Sequence, residues 1–274
     1  MDFSSYLIVT DLDGTLFNRE QRVPERSVQA IEYFKNHGGH FTFATGRAKM
    51  FIDRRFEFLK ALVNAPVIMS NGARVYDYST ESVISDITFN KAYISDLLEK
   101  IYSKFPDLPM EIYSHDTVTV INPDDRLYKR FEKLSDYAEF SNVLKIPCGD
   151  IIRIAIVDHD RNRITNVSEF VTLNTDDACV ELVFSEWFIF EILPKGATKG
   201  NGINILREQL RGVKIISAGD WNNDISQLLA ADIAVCPSNA NEFVRDICKY
   251  VLCDCDHGLI ADIVEYIEKG LFDI

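Results

Sequence analysis

Apolar and polar positions follow two different rhythms along this chain. The run Tyr6-Leu7-Ile8-Val9-Thr10 is continuous and apolar, the pattern of a strand buried on both faces. Ser27 to Asn36 then carries Val28, Ile31 and Phe34 at helical spacing and stops at Gly38-Gly39. Phe41 to Thr45 predicts a second strand, Ala48 to Val63 a helix, and Pro66 to Ser70 a third strand. Strand and helix in alternation predict a parallel sheet with crossover helices. The rhythm returns late in the chain. Lys199 to Leu210 predicts a helix, Val213 to Ala218 a strand, Asn222 to Ala230 a helix and Asp232 to Val235 a strand. Two further helices, Ala240 to Cys248 and Leu259 to Lys269, flank a short strand at Tyr250 to Leu252.

Between these parts the pattern changes to period two. Glu111 to Tyr113, Thr117 to Val120, Ile151 to Val157 and Ala178 to Phe184 predict antiparallel strands with one wet face. Helical stretches at Tyr93 to Phe105, Arg126 to Tyr137 and Arg163 to Leu173 would cover the other face. The expected fold class is therefore α/β: a Rossmann-like parallel-sheet core, residues 1–81 and 190–274, with an inserted α+β domain at 82–189.

Composition narrows the setting. With 47% apolar residues, the chain of 274 can build a substantial core. A formal charge of −13 argues against a sequence-independent grip on nucleic acid and against an acidic membrane surface. It leaves room for phosphate esters if a few cations are focused in one cleft. Nothing resembles a signal peptide or a membrane span, so a cytoplasmic protein is expected. The six cysteines are scattered and lack paired C-x-x-C spacing, which predicts free thiols rather than a zinc site. Oligomeric state is left open, and a monomer is compatible with everything above.

The candidate chemistry sits at the ends of predicted strands. Asp11 and Asp13, two residues apart, project to the same side beyond the first strand, so one can attack while the other handles protons. Their mutual repulsion calls for a divalent cation, and hard oxygen ligands favour Mg2+. Gly14 lets the chain turn, and Thr15 is expected to bond its own backbone. Thr45-Gly46-Arg47 offers a hydroxyl and a helix start suited to phosphate, or an ordinary Thr cap. Lys199, with Lys195 as a competitor that spacing does not separate, can neutralise a transferring phosphoryl group. Asp220 ends the strand before it as Asp11 does, and Asp224 follows one turn later.

In this order, DxDGT, TGR, the Lys-Gly pair and GDxxND resemble the haloacid dehalogenase-like hydrolase superfamily. More narrowly they resemble its Cof-type sugar phosphatases with a type-IIB cap. Ser70-Asn71-Gly72-Ala73 also resembles that family's strand end before the cap. The resemblance spans the whole chain. It implies a Mg2+-dependent phosphoric monoester hydrolase in which Asp11 forms an aspartyl-phosphate and Asp13 moves the protons. It implies Mg2+ on the Asp11 carboxylate, the Asp13 main-chain oxygen and Asp220, with Asp224 ordering bound water. Phosphoryl oxygens would be held by Thr45, Gly46, Asn223, the Leu12 N–H and Lys199, which fits the family's third motif better than Lys195. Arg47 lies in a familiar place without a defined role.

The implied substrate is a small phosphorylated metabolite, a sugar phosphate first, with flavin mononucleotide or pyridoxal phosphate as alternatives. Two rivals stand beside this reading: a phosphomutase on the same scaffold and a noncatalytic phosphometabolite sensor. The inserted domain is expected to close over the site as a cap and help choose the substrate. Tyr113, His115, Arg153 and Trp187 are its polar or aromatic candidates, each with packing or surface as the plainer role.

Overall fold

The opening apolar run forms β1 (Tyr6–Thr10), with Leu7 to Thr10 all buried. After it come α1 (Glu25–Asn36), β2 (His40–Phe43), α2 (Lys49–Arg55), α3 (Leu59–Leu62), β3 (Val67–Met69), β4 (Arg74–Asp77) and β5 (Ser82–Asp86). The middle of the chain runs α4 (Lys91–Lys104), β6 (Met110–Tyr113), β7 (Val118–Ile121), α5 (Asp125–Phe131), β8 (Ala138–Ser141), β9 (Arg153–Val157), α6 (Arg161–Leu173), β10 (Val180–Glu186) and β11 (Ile189–Pro194). It closes with α7 (Lys199–Gln209), β12 (Lys214–Ala218), α8 (Ile225–Ala230), β13 (Ile233–Pro237), α9 (Glu242–Ile247), β14 (Tyr250–Leu252) and α10 (Leu259–Glu268). These elements belong to a computed structural model that describes residues 1–273. None of the described helices is long and apolar enough to cross a membrane.

The chain divides into two compact units. The first holds Met1–Gly46, Glu57–Ser85 and the chain from Thr198 onward; the second holds Arg47–Phe56 and Asp86–Ala197. In the first, five strands lie in the order β14-β13-β12-β1-β2, all parallel. The two ends of the chain thus build one sheet, as the repeated strand–helix rhythm predicts. An isolated parallel bridge from Ala44 to Ile68 leads on to β3, which pairs antiparallel with β4 in a small sheet completed by β5. Leu7 and Val9 on one face of β1 pack with Ile203 and Leu206 of α7 and with Ile215 of β12.

In the second unit six strands lie in the order β10-β11-β9-β6-β7-β8. One face carries Met110, Ile112, Ile154, Ile156, Phe190 and Ile192, which pack against α4 and α6 through Ile94, Leu98, Ile164 and Val167. Alternation along the strands produces this face, because successive side chains point opposite ways.

Three expectations are corrected here. The helix expected from Ala48 to Val63 is two helices, broken near Phe56, where φ is −134° and ψ 34°. Its halves pack in different units: α2 sets Phe51 against Phe131 of α5, with ring centroids 5.6 Å apart, whereas Leu59 and Leu62 of α3 are buried in the first unit. The helix expected from Arg126 to Tyr137 stops early, and Ala138 to Ser141 forms β8, parallel to β7, which makes the sheet mixed rather than antiparallel. The face expected to be wet is instead buried and polar, for Glu111 and Tyr113 are 0% exposed and Arg153 and Glu191 each 3%.

Candidate active site

The β1–β12 register pairs Thr10 with Ala218, and the Asp11 N–H extends the ladder to the Ala218 carbonyl at 2.8 Å. The residues just beyond these strands, Asp11 and Asp220, therefore leave the sheet side by side. On the other flank of β1, the Ala44 N–H reaches the Thr10 carbonyl at 2.9 Å and brings Thr45 to the same rim. Sheet order reverses at β1, with β2 on one side and the late strands on the other, and open α/β sheets collect ligands at such a point.

Lys199, the first residue of α7, is fully buried, and its Nζ lies 2.6 Å from Asp11 Oδ1 and 2.6 Å from Asp224 Oδ1. Thr198 caps that helix by accepting the Asn201 N–H at 3.0 Å. The helix start fits because position 72 is glycine: φ is +97°, and a Cβ would stand 2.1 Å from the Thr198 carbonyl oxygen. Lys195, by contrast, is exposed and pairs with Glu181 at 3.0 Å in the second unit. Geometry thus separates two lysines that spacing left together.

Asp224 is the anchor of the group. Its Oδ1 accepts from Lys199 and from Gln227 Nε2 at 2.9 Å, and its Oδ2 accepts the N–H groups of Asp220 at 2.9 Å and Trp221 at 3.0 Å. Four donors occupy the roughly four lone-pair sites of a carboxylate. Asp11 and Asp220 carry the oxygens left over. Thr15 donates to Asp220 Oδ1 at 2.8 Å, so its hydroxyl bonds a side chain across the site rather than its own backbone as expected. Gly14, at φ +80°, sits so close that a Cβ would lie 2.5 Å from Asp220 Oδ2.

A second set of polar groups gathers around Thr45. Its N–H donates to the Ile68 carbonyl at 2.9 Å, and its carbonyl accepts the Asn71 N–H at 3.0 Å. Asn71 Oδ1 accepts from Asn223 Nδ2 at 3.1 Å, and a Cβ on Gly46 would stand 3.1 Å from Asn71 Nδ2. Thr45, Gly46 and Asn223 are therefore brought together by Asn71, which holds the left-handed conformation at φ +52°. Thr45 caps no helix, since α2 begins at Lys49 after Ala48. Leu12 is buried and its carbonyl accepts the Phe17 N–H at 2.7 Å, which fixes the turn after Asp11. Asp13 is partly buried, on a short bridge to Phe17.

A family model for haloacid dehalogenase-like hydrolases matches residues 8–263. This chain belongs to that family. The hydrolase is of the Cof-type, subclass IIB kind that its motifs resemble. It is 28% identical over 231 residues, 81% of this chain and 82% of the relative, to a Buchnera aphidicola protein named provisionally as a phosphatase. It is 22% identical over 262 residues, 90% and 92% of the two chains, to the 5-amino-6-(5-phospho-D-ribitylamino)uracil phosphatase of Bacillus subtilis. A solved subclass IIB sugar phosphatase, 24% identical, matches 97% of this chain and 100% of its own with a TM-score of 0.77, which shows a shared fold.

The electrostatics of the hydrolase suit a divalent cation. Ligand oxygens of Asp11, Asp220 and Asp224 all lie within 4.8 Å of one another. Burial, and then the charge of Asp224, raise the Asp11 pKa to about 8 against the pull of the Lys199 ammonium. Burial, followed by Asp11 and Asp224, pushes Asp220 well above the carboxylate range. Burial alone would lower Lys199, but Asp11 and Asp224 outweigh it and raise its pKa. Three carboxylates against one ammonium leave an excess of negative charge, and their hard oxygens match Mg2+.

Some residues of the site are absent from the sequence reading. Gln227 is buried beside Asp224, yet an amide on a short helix has no signal that separates it from a surface residue. Asn239 donates to the Gly14 carbonyl at 2.8 Å, and the Asn241 N–H to the Asp220 carbonyl at 3.1 Å. Both follow β13 directly, and that strand-end position was the available clue. Of the inserted candidates, Tyr113 and Arg153 are buried together, Trp187 is exposed beside Arg161, and His115 lies 3.7 Å from Asp86.

Proposed function

We propose that this hydrolase is a Mg2+-dependent phosphatase that cleaves monophosphate esters of small metabolites, sugar phosphates foremost, through an aspartyl-phosphate on Asp11. One observation carries the reading: Lys199 lies 2.6 Å from the buried Asp11 carboxylate, with Asp220 and Asp224 in the same group at the end of β1 and β12. That is a nucleophile, a charge-neutralising cation and oxygen ligands in one place. The relatives named as phosphatases of phosphorylated metabolites, one of them a sugar phosphatase, support the substrate class.

On this reading the Asp11 carboxylate attacks phosphorus, the bond to the leaving oxygen breaks, and Asp13 gives that oxygen its proton. The ionised Asp13 then takes a proton from water as the water oxygen bonds to phosphorus. Phosphate leaves and Asp11 is restored. Lys199 steadies the charge on the phosphoryl oxygens, which Thr45, Gly46, Asn223 and the Leu12 N–H also receive. The carboxylates of Asp11 and Asp220 and the Asp13 main-chain oxygen would hold Mg2+, which would supply positive charge to offset the repulsion between these groups and the phosphate. Asp224 keeps Asp220 and Lys199 in place. None of these groups reads the remainder of the substrate, so that task falls to the inserted domain, as a cap.

Phosphate release from a panel of sugar, nucleotide and cofactor phosphates, with Mg2+ or with EDTA, tests the proposal. Release that needs Mg2+ and disappears in Asp11→Asn is the expected result. Wild-type turnover by folded Asp11→Asn would overturn it, and release only after priming with a bisphosphate would point to a mutase.

A further inference from the structure

Gln227 is fully buried on α8. Its Nε2 donates to Asp224 Oδ1 at 2.9 Å and to the Ala218 carbonyl at 3.3 Å. That same carbonyl accepts the Asp11 N–H at 2.8 Å. One amide therefore ties the carboxylate that holds Lys199 to the carbonyl that holds the Asp11 peptide. The amide orientation follows from chemistry, because both neighbours only accept, and a flipped amide would set oxygen against oxygen.

The other end of the side chain is different. Gln227 Oε1 is buried and meets no donor within the protein. An acceptor buried without a protein donor works against stability, so packing does not explain an amide at this position. The two bonds made by Nε2 do.

We propose that Gln227 is a positioning residue for phosphoryl transfer. It shares Asp224 Oδ1 with Lys199 and so leaves part of the ammonium's attraction for Asp11. Without the amide, Asp224 Oδ1 faces Lys199 alone and draws the ammonium away from Asp11. Asp224 also loses one of the four donors that fix it, and through its other oxygen it fixes the N–H of Asp220. The kinetic part of this inference rests on the phosphatase reading above; the bonding part does not.

Gln227→Met, nearly the same length and without polar atoms that need partners, is the decisive variant. Its kcat should fall about tenfold with KM little changed, the pattern of an interaction that matters in the transition state. Its metal-free melting temperature should equal or exceed that of wild type, while the rise in melting temperature on adding Mg2+ should shrink. Gln227→Glu keeps the shape but replaces the donor with an acceptor beside Asp224, and should lose both activity and metal-free stability. Unchanged kcat in Gln227→Met would overturn the proposal. So would a parallel fall of kcat and metal-free melting temperature in that variant, which marks a merely structural residue. If wild type releases no phosphate from any substrate, the phosphatase reading fails, and a wild-type-sized Mg2+ shift in Gln227→Met overturns the positioning role independently.

Discussion

Each unit of the molecule buries a cluster of charges, and the two clusters are composed differently. In the first, the carboxylates of Asp11, Asp220 and Asp224 surround the single ammonium of Lys199. In the second, Glu111 and Glu191 meet Arg130 and Arg153, with the Tyr113 hydroxyl donating to Glu111 at 2.5 Å. The Arg153 guanidinium lies 3.9 Å from the Tyr113 ring centroid. Burial works against both clusters, since removing charge from water is costly. The second offsets that cost with matching signs. Burial would lower the Arg153 pKa, but Tyr113, Glu191 and Glu111 together raise it. The first carries three carboxylates against one ammonium, and two of them, Asp11 and Asp220, titrate high. A balanced buried cluster is a structural device, whereas an unbalanced one calls for a cation from outside.

Removing the lone ammonium should break the first cluster most severely. Lys199→Met leaves the carboxylates without an internal counter-charge and the phosphoryl group without its positive neighbour. Its kcat should fall by about 100- to 1,000-fold, as when a preorganised charge-stabilising group is lost. Steady-state phosphate release checks this, with circular dichroism to confirm that the protein is folded. Next in size is the same operation on the balanced cluster. Arg153→Met removes the buried guanidinium that pairs with Glu191 and lies over Tyr113, and breaking a buried pair costs about 3–5 kcal/mol. Urea unfolding should show that loss, and stability equal to wild type would mean that the second cluster is not held by its charges.

The make-up of the first cluster also predicts a response to pH and metal. Asp11 has its folded pKa raised from 3.8 to about 8, so between those values the native state holds a proton that the unfolded chain releases. Stability of the metal-free protein should therefore fall as pH rises through that window. Asp11→Asn should remove this part of the slope, and Mg2+ should flatten it in wild type by favouring the ionised carboxylate. Melting temperatures across the window, in EDTA and then in Mg2+, test both points. A metal-free slope identical in wild type and Asp11→Asn would contradict the assignment of that proton to Asp11.

Much of the first cluster was legible in the sequence, for a physical reason. Its residues stand at strand ends, and an apolar run followed by Asp11 or Asp220 marks a strand end without any knowledge of packing. The parallel sheet then brings such ends to one rim, so Asp11, Thr45 and Asp220 could be grouped from rhythm alone. The second cluster was not legible as a cluster. Glu111, Tyr113, Arg153 and Glu191 alternate with apolar neighbours, and that pattern equally describes a solvated face. Strand β8 was missed because Ala138-Glu139-Phe140-Ser141 is short and directly follows a stretch with helical spacing. The break near Phe56 was missed because both flanking segments are helical; only their packing in different units separates them. Gln227 was invisible because an amide becomes distinctive only when its two acceptors are known.

The smallest predicted effect concerns the two lysines that stand four residues apart. Lys195→Ala removes an exposed pair with Glu181, and such pairs contribute about 0–1 kcal/mol. Its stability should change by no more than that, and its kcat should remain that of wild type, because the ammonium removed belongs to neither buried cluster. Set beside Lys199→Met, this tests whether consequence follows burial and imbalance rather than charge as such. Both substitutions remove one positive charge from a chain of net charge −13, so any influence of overall charge is common to them. Equal losses of kcat in the two variants would mean that the negative field of the whole molecule governs phosphate binding. A loss confined to Lys199→Met assigns the effect to the ammonium that lies 2.6 Å from Asp11.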